Sequence, residues 1–81
     1  MDFRDIIIRK MYRLRTIGGK HTAVENLTKS IPKHLVGDAK KAVKDLLKDG
    51  LIIQKQTSYG LHVSLNPEKI DEIMKIAENE K

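Results

Sequence analysis

The chain contains no cysteine, so neither a disulfide framework nor a Cys-ligated zinc site can supplement its core. That core is small, because a domain of 81 residues buries only about 60% of the surface its unfolded chain would expose. Stability must therefore come from apolar packing, within the chain or shared with a second subunit. Apolar runs are short, and none approaches the roughly 18 residues that a membrane span needs. The opening Met1-Asp2-Phe3-Arg4-Asp5 lacks the basic start and small-residue cleavage site of a secretory signal. Internal repeats, linkers and low-complexity tracts are absent too. These absences lead to the expectation of a soluble, cytoplasmic protein folded as a single domain over residues 1–81.

Catalytic and metal constellations are missing as well. His21, His34 and His62 are scattered over a turn, the start of a helix and a strand, with no Cys partner and no His-x-x-x-His spacing. No metal and no cofactor is expected. No Ser or carboxylate stands beside a histidine in a known catalytic arrangement, and a chain this short leaves little room for a walled pocket. Gly19-Lys20-His21-Thr22 fails as a phosphate-binding loop, because His21 separates the lysine from the hydroxyl and Leu14 stands where the first glycine belongs. The chain does not read as an enzyme.

What the chain has is positive charge, unevenly spread. Residues 1–65 hold 13 Lys/Arg against 6 Asp/Glu, and residues 66–81 hold 3 against 5. A basic body with a separately acidic tail suits a protein that presents one face to a polyanion. The alternative is that 33% charged residues simply solubilise a small domain, as Lys and Glu do in thermophile proteins.

Periodicity divides the chain into elements. From Asp2 to Arg15, the apolar Phe3, Ile7, Met11 and Leu14 recur at helical spacing, and Gly18-Gly19 breaks the pattern. Ile8 lies off that stripe, free to meet a partner or the last helix. Thr22 with Glu25 three residues on forms a capping box for a short second helix, with Val24, Leu27 and Ala23 inward. It ends near Ser30, and Pro32 forces a turn. From Leu35 or Val36 to Asp49, one face carries Val36, Ala39, Val43, Leu46 and Leu47; the other carries Gly37, Lys40, Lys41, Lys44 and Lys48. Gly50 supplies a left-handed stop.

Two short β-type runs follow, Leu51 to Lys55 and Leu61 to Leu65, joined by Gln56-Thr57-Ser58-Tyr59-Gly60. In the second run, Leu61, Val63 and Leu65 alternate with His62 and Ser64, which predicts one buried face. Asn66-Pro67-Glu68 is a strong helix start, with a cap, a proline in the first turn and an acid beside it. Ile70, Ile73, Met74, Ile76 and Ala77 give this last helix a wide apolar stripe.

The order helix, short helix, proline turn, longer helix, hairpin, helix resembles the winged helix-turn-helix superfamily over nearly the whole chain. The passage Ala39 to Ile53, AKKAVKDLLKDGLII, is similar to the recognition helix and wing start of many bacterial and archaeal regulators. GGKHT and TSYGLHVSLNP give it the look of a small archaeal winged-helix DNA-binding protein. The resemblance implies an α+β, mainly α fold with three helices, a two-stranded hairpin wing and a C-terminal helix. It also implies double-stranded DNA as partner and a role in transcription regulation or as a DNA-associated accessory protein. Helices one and four often build the dimer in this superfamily, which would place Ile70, Ile73, Met74, Ile76 and the first helix at a homodimer interface.

If the third helix lies in the major groove, Lys33, His34, Lys40, Lys41, Lys44 and Lys48 approach base edges and phosphates. Lys55, Thr57, Ser58 and Tyr59 would touch the minor groove or backbone from the wing. Lys20 and His21, with Arg13 and Arg15, would clamp phosphate at the second helix's N-terminus. Arg, Asn and Gln, the bidentate base readers, are absent from the third helix, Gly37 and Asp38 occupy its start, and Lys55 is the hairpin's one cation. This is a surface for affinity more than discrimination. The rival readings are a solvated lysine face interleaved with Asp38, Asp45 and Asp49, and a protein-interaction winged helix within a larger assembly. RNA is a weaker third option, since the strands lack exposed aromatic platforms.

Overall fold

The computed structural model describes residues 2–78, and the elements run α1 (Phe3–Arg13), β1 (Thr22–Ala23), α2 (Val24–Thr28), α3 (Val36–Asp49), β2 (Ile52–Thr57), β3 (Gly60–Leu65) and α4 (Ile70–Glu78). Short 3₁₀ turns, Lys33–Leu35 and Pro67–Lys69, lead into α3 and α4. The fold is α+β and mainly α, with four helices and a three-stranded antiparallel sheet in the order β1-β3-β2. No described helix is long and apolar enough to cross a membrane.

Helix α1 begins where Asp2 accepts a hydrogen bond from the Arg4 N–H at 3.0 Å, which satisfies one of the donors a helix start leaves open. It stops two residues earlier than the periodicity predicts, at Arg13. The chain bends through Arg15 at φ 56, and Leu14, expected in the core, is 56% exposed. Ile8 answers the question its sequence position poses: it is fully buried in the same cluster as Ile7 and Met11, and with Leu46, Leu51 and Ile76 it lines the junction of α1, α3 and α4.

Thr22 does not cap α2. Together with Ala23 it pairs with β3, Thr22 opposite Val63 and Ala23 opposite His62, so α2 starts behind Ala23 with no side-chain cap. A two-residue strand has no periodicity to read, and Thr serves a strand as readily as a cap. Val24 and Leu27 face the core as expected.

Helix α3 spans the range its pattern predicts. Ala39, Ala42, Val43 and Leu46 are buried while Val36 and Leu47 sit at the margin. Gly50 ends it at φ 79, a left-handed position where a side chain would be strained. The chain then enters β2, whose six residues pair with β3 from Ile52 opposite Leu65 to Thr57 opposite Gly60.

Strand β3 departs from its predicted one-sided burial. It is the central strand, and Val63, Ser64 and Leu65 are all buried, while Leu61 near the hairpin tip is 36% exposed. The reason lies in the segment after α1. Leu65 donates its N–H to the Thr16 carbonyl at 2.8 Å, and Gly18 donates to the Leu65 carbonyl at 3.2 Å. Those bonds pair the segment with β3 at its edge, Ile17 beside Leu65, and the Ser64 hydroxyl donates to the Gly18 carbonyl at 3.0 Å.

The core gathers side chains from the four helices and from β2 and β3: Ile7, Ile8, Met11, Val24, Leu27, Val43, Leu46, Ile52, Val63, Leu65 and Ile73 among them. Ile73 and Ala77 of α4 are buried, and Ile70 and Ile76 pack against the cluster. Ile73, expected at a homodimer interface, is thus enclosed within the chain at 0% exposure. Tyr12 fastens the two terminal helices further, its hydroxyl donating to the Glu78 carboxylate at 3.1 Å.

Candidate nucleic-acid interface

The lysine-rich face of α3 is built from its own period. At 100° per residue, Lys40, Lys44 and Lys48 fall within roughly 80° of arc, with Lys41 at its edge. All four are exposed, because the apolar stripe that fixes the helix against the core occupies the opposite side. Asp38, Asp45 and Asp49 occupy the neighbouring sector of the helix, which begins beside Lys41. The same period groups these acids within roughly 40°, and the near edge of that group, Asp45, lies about 40° past Lys41 and about 60° past Lys48. Asp38, Lys41 and Asp45 border a shallow groove with Asp2, Phe3 and Arg4, and Asp49 borders the next with Arg4, Asp5 and Glu72. The carboxylates thus line the flank that meets α1 and α4. No salt bridge among the described residues joins Lys40, Lys41, Lys44 or Lys48 to a carboxylate, so their charges are free to meet an external anion.

Lys33 and His34 stand in the 3₁₀ turn that runs straight into α3, both exposed. They extend the cationic row by one turn past Gly37, where the helix itself offers no side chain.

The hairpin presents its tip differently. Ser58 and Tyr59 form the two-residue turn, and Tyr59 is 92% exposed. Thr57 holds the turn closed, its hydroxyl donating to the Gly60 carbonyl at 2.9 Å and accepting from the Tyr59 N–H at 3.1 Å. Thr57 therefore shapes the tip and is half-buried. Lys55 is half-buried too, directly opposite His62 on β3, so the ammonium reaches outward from the hairpin's middle.

Lys20 and His21 do not form the expected phosphate clamp. Strand β1 intervenes between them and α2, which has only five residues. His21 instead meets His62, their Nδ1 atoms 2.8 Å apart. Lys20 is exposed in the link before β1. The sequence treats these two histidines as unrelated; they meet because the β1–β3 pairing closes a loop of about forty residues, for which a two-residue strand gives no signal.

Two ionisable groups at the margins are shifted. Burial works against ionisation of Asp2, but the backbone N–H and guanidinium of Arg4 prevail and hold its carboxyl below the ordinary 3.8. The hydrogen bond to Glu78, then burial, raises the Tyr12 phenol above 10.0. Neither lies on the lysine face. No group of three or more His, Cys, Asp or Glu among the described residues is placed to hold a metal ion. No protein-family model, no curated protein and no solved structure matches this chain, so its functional reading rests on this geometry.

Proposed function

We propose that the chain is a winged helix-turn-helix module that binds duplex DNA, with α3 as the recognition helix and the β2–β3 hairpin as the wing. One observation carries the reading: a row of exposed lysines on the helix that precedes a hairpin, none of them in a salt bridge with a carboxylate among the described residues. Lys33, His34, Lys40, Lys41, Lys44 and Lys48 face the duplex, and Lys55, Ser58 and Tyr59 reach it from the wing, with Thr57 setting the wing tip. Lys20, exposed in the link before β1, adds charge. Because lysine acts on phosphate as a point charge, affinity exceeds sequence discrimination. Such a module serves as a transcription regulator or a DNA-associated accessory protein. A second copy docks on Ile70, Met74 and Ile76, the part of the α4 stripe that the monomer leaves half-exposed.

The test is a fluorescence titration with a random-sequence duplex at two salt concentrations. With about six phosphates neutralised, log K falls against log salt with a slope of about −5, so affinity drops by about a thousandfold between 50 and 200 mM. Salt-insensitive binding, or none at micromolar protein at the lower salt, overturns the reading. The latter result favours a protein-interaction module in a larger assembly, because fold does not fix function. That rival draws on the absence of Arg, Asn and Gln from α3 and on a wing with one cation.

A further inference from the structure

His21 and His62 are separated by 41 positions in the chain, yet their Nδ1 atoms approach to 2.8 Å. Their ring centroids are 4.9 Å apart and the planes are inclined by 68°. The backbone imposes this meeting, since His62 pairs with Ala23 across β1 and β3 and His21 lies just before that strand. His21 is exposed and His62 half-buried.

A bond between two ring nitrogens requires a hydrogen on one and a lone pair on the other. A neutral imidazole carries its single N–H on either nitrogen. Moving the donor's hydrogen from Nδ1 to Nε2 neither gains nor loses a proton, and it leaves a lone pair on each Nδ1, which a modest turn of the two rings aims at one shared point. Two nitrogens each about 2.05 Å from a metal are about 2.9 Å apart at 90°, and about 3.3 Å apart at the tetrahedral angle. The observed separation matches the right-angled case, the adjacent positions of a tetragonal or square-planar ion. Imidazole is a preferred ligand of such ions.

We propose that His21 and His62 form a two-imidazole site for a divalent transition metal of tetragonal preference, Ni²⁺ or Cu²⁺, independent of the lysine face. No third His, Cys, Asp or Glu among the described residues joins them, so water fills the remaining positions and the site stays open to solvent. A bound ion clasps β1 to β3 and so fixes the hairpin to the segment that leads into α2. Lys55, opposite His62 on the other side of β3, opposes a dication by repulsion and keeps the affinity modest.

The experiment uses tag-free, chelator-stripped protein titrated with NiCl₂ by calorimetry and with substoichiometric CuCl₂ by NMR. One ion binds per chain, and Cu²⁺ broadens the ring signals of His21 and His62 before those of His34. His21→Gln and His62→Gln each weaken Ni²⁺ binding by about tenfold or more, His34→Gln leaves it unchanged, and Lys55→Gln tightens it. Ni²⁺ raises the melting temperature of the wild type and not of His62→Gln, because only the folded chain assembles the pair. Equal broadening of all three histidines, or single-Gln variants that bind like wild type, overturns the proposal. The wild-type broadening pattern decides the matter even if a variant folds poorly.

Discussion

Asn66 joins two elements with one amide. Its Oδ1 accepts from the Glu68 N–H at 3.0 Å and its Nδ2 donates to the Gly50 carbonyl at 2.8 Å, so it starts the last helix while holding the loop that ends α3. Asn66→Ala removes both bonds and is expected to cost about 1–3 kcal/mol, a fall in Tm of at least about 4 °C in a domain of this size. Asn66→Asp keeps the cap and loses the donor, so its melting temperature falls between the two; equal losses for both variants would show that the Gly50 bond carries the effect alone. Asp2 gives a pH dependence. Its folded value is depressed, so the cap's contribution is present above 3.8 and is lost as pH falls through the folded value. Exposure keeps this below about 1 kcal/mol. Asp2→Asn retains an acceptor without the charge, and its thermal stability relative to wild type should improve below about pH 4. Tyr12 has the opposite sign: its folded value is raised, so its bond contributes below pH 10.0 and is lost as pH rises through the folded value. Tyr12→Phe should therefore differ most from wild type at neutral pH, in chemical denaturation followed by circular dichroism.

At the scale of the element, α3 divides its tasks by face. Leu46 is 1% exposed within the core cluster, so Leu46→Ala leaves a cavity and should cost about 2–5 kcal/mol. Lys40→Glu with Lys44→Glu should change Tm little, since exposed substitutions fall mostly within about 0.5 kcal/mol. The same pair should abolish duplex binding in the titration, while neutralising either lysine alone lowers the magnitude of the salt slope by about 1. Unchanged binding by the double variant would move the interface away from α3. This helix was legible because its period repeats over 14 residues and glycine stops it. The same period also gathers Asp38, Asp45 and Asp49 on one flank, next to Lys41, but it does not say what the acids face. Their place beside Arg4 follows from how α1 crosses α3. Strand β1 was not legible, since two residues make no pattern and their pairing partner lies far along the chain.

For the whole molecule, the α4 stripe is divided between the core of its own chain and a half-exposed margin. Ile73 and Ala77 are consumed by the core, and Met74 borders a groove with Tyr12, Arg13, Arg15, Ile17 and Ile70. If a second copy covers Ile70, Met74 and Ile76, light scattering returns twice 9.3 kDa, and Met74→Glu returns the single-chain mass by burying an unpaired charge at the contact. A wild-type mass near 9.3 kDa removes the dimer and leaves the lysine face to act from a monomer.

By itself the sequence determined the helices with sustained periods, the hairpin, the glycine and asparagine that bound them, and the excess of lysine on one side of α3. These depend on local spacing and backbone preference, which act within a few residues. Only the tertiary structure decided that β3 is the central strand with Ser64 enclosed, that Ile8 and Ile73 belong to the core, and that His21 meets His62. Each of these needs two segments far apart in the chain to be brought together. That closure is driven by the summed burial of many apolar side chains, and no single stretch of sequence carries its signature.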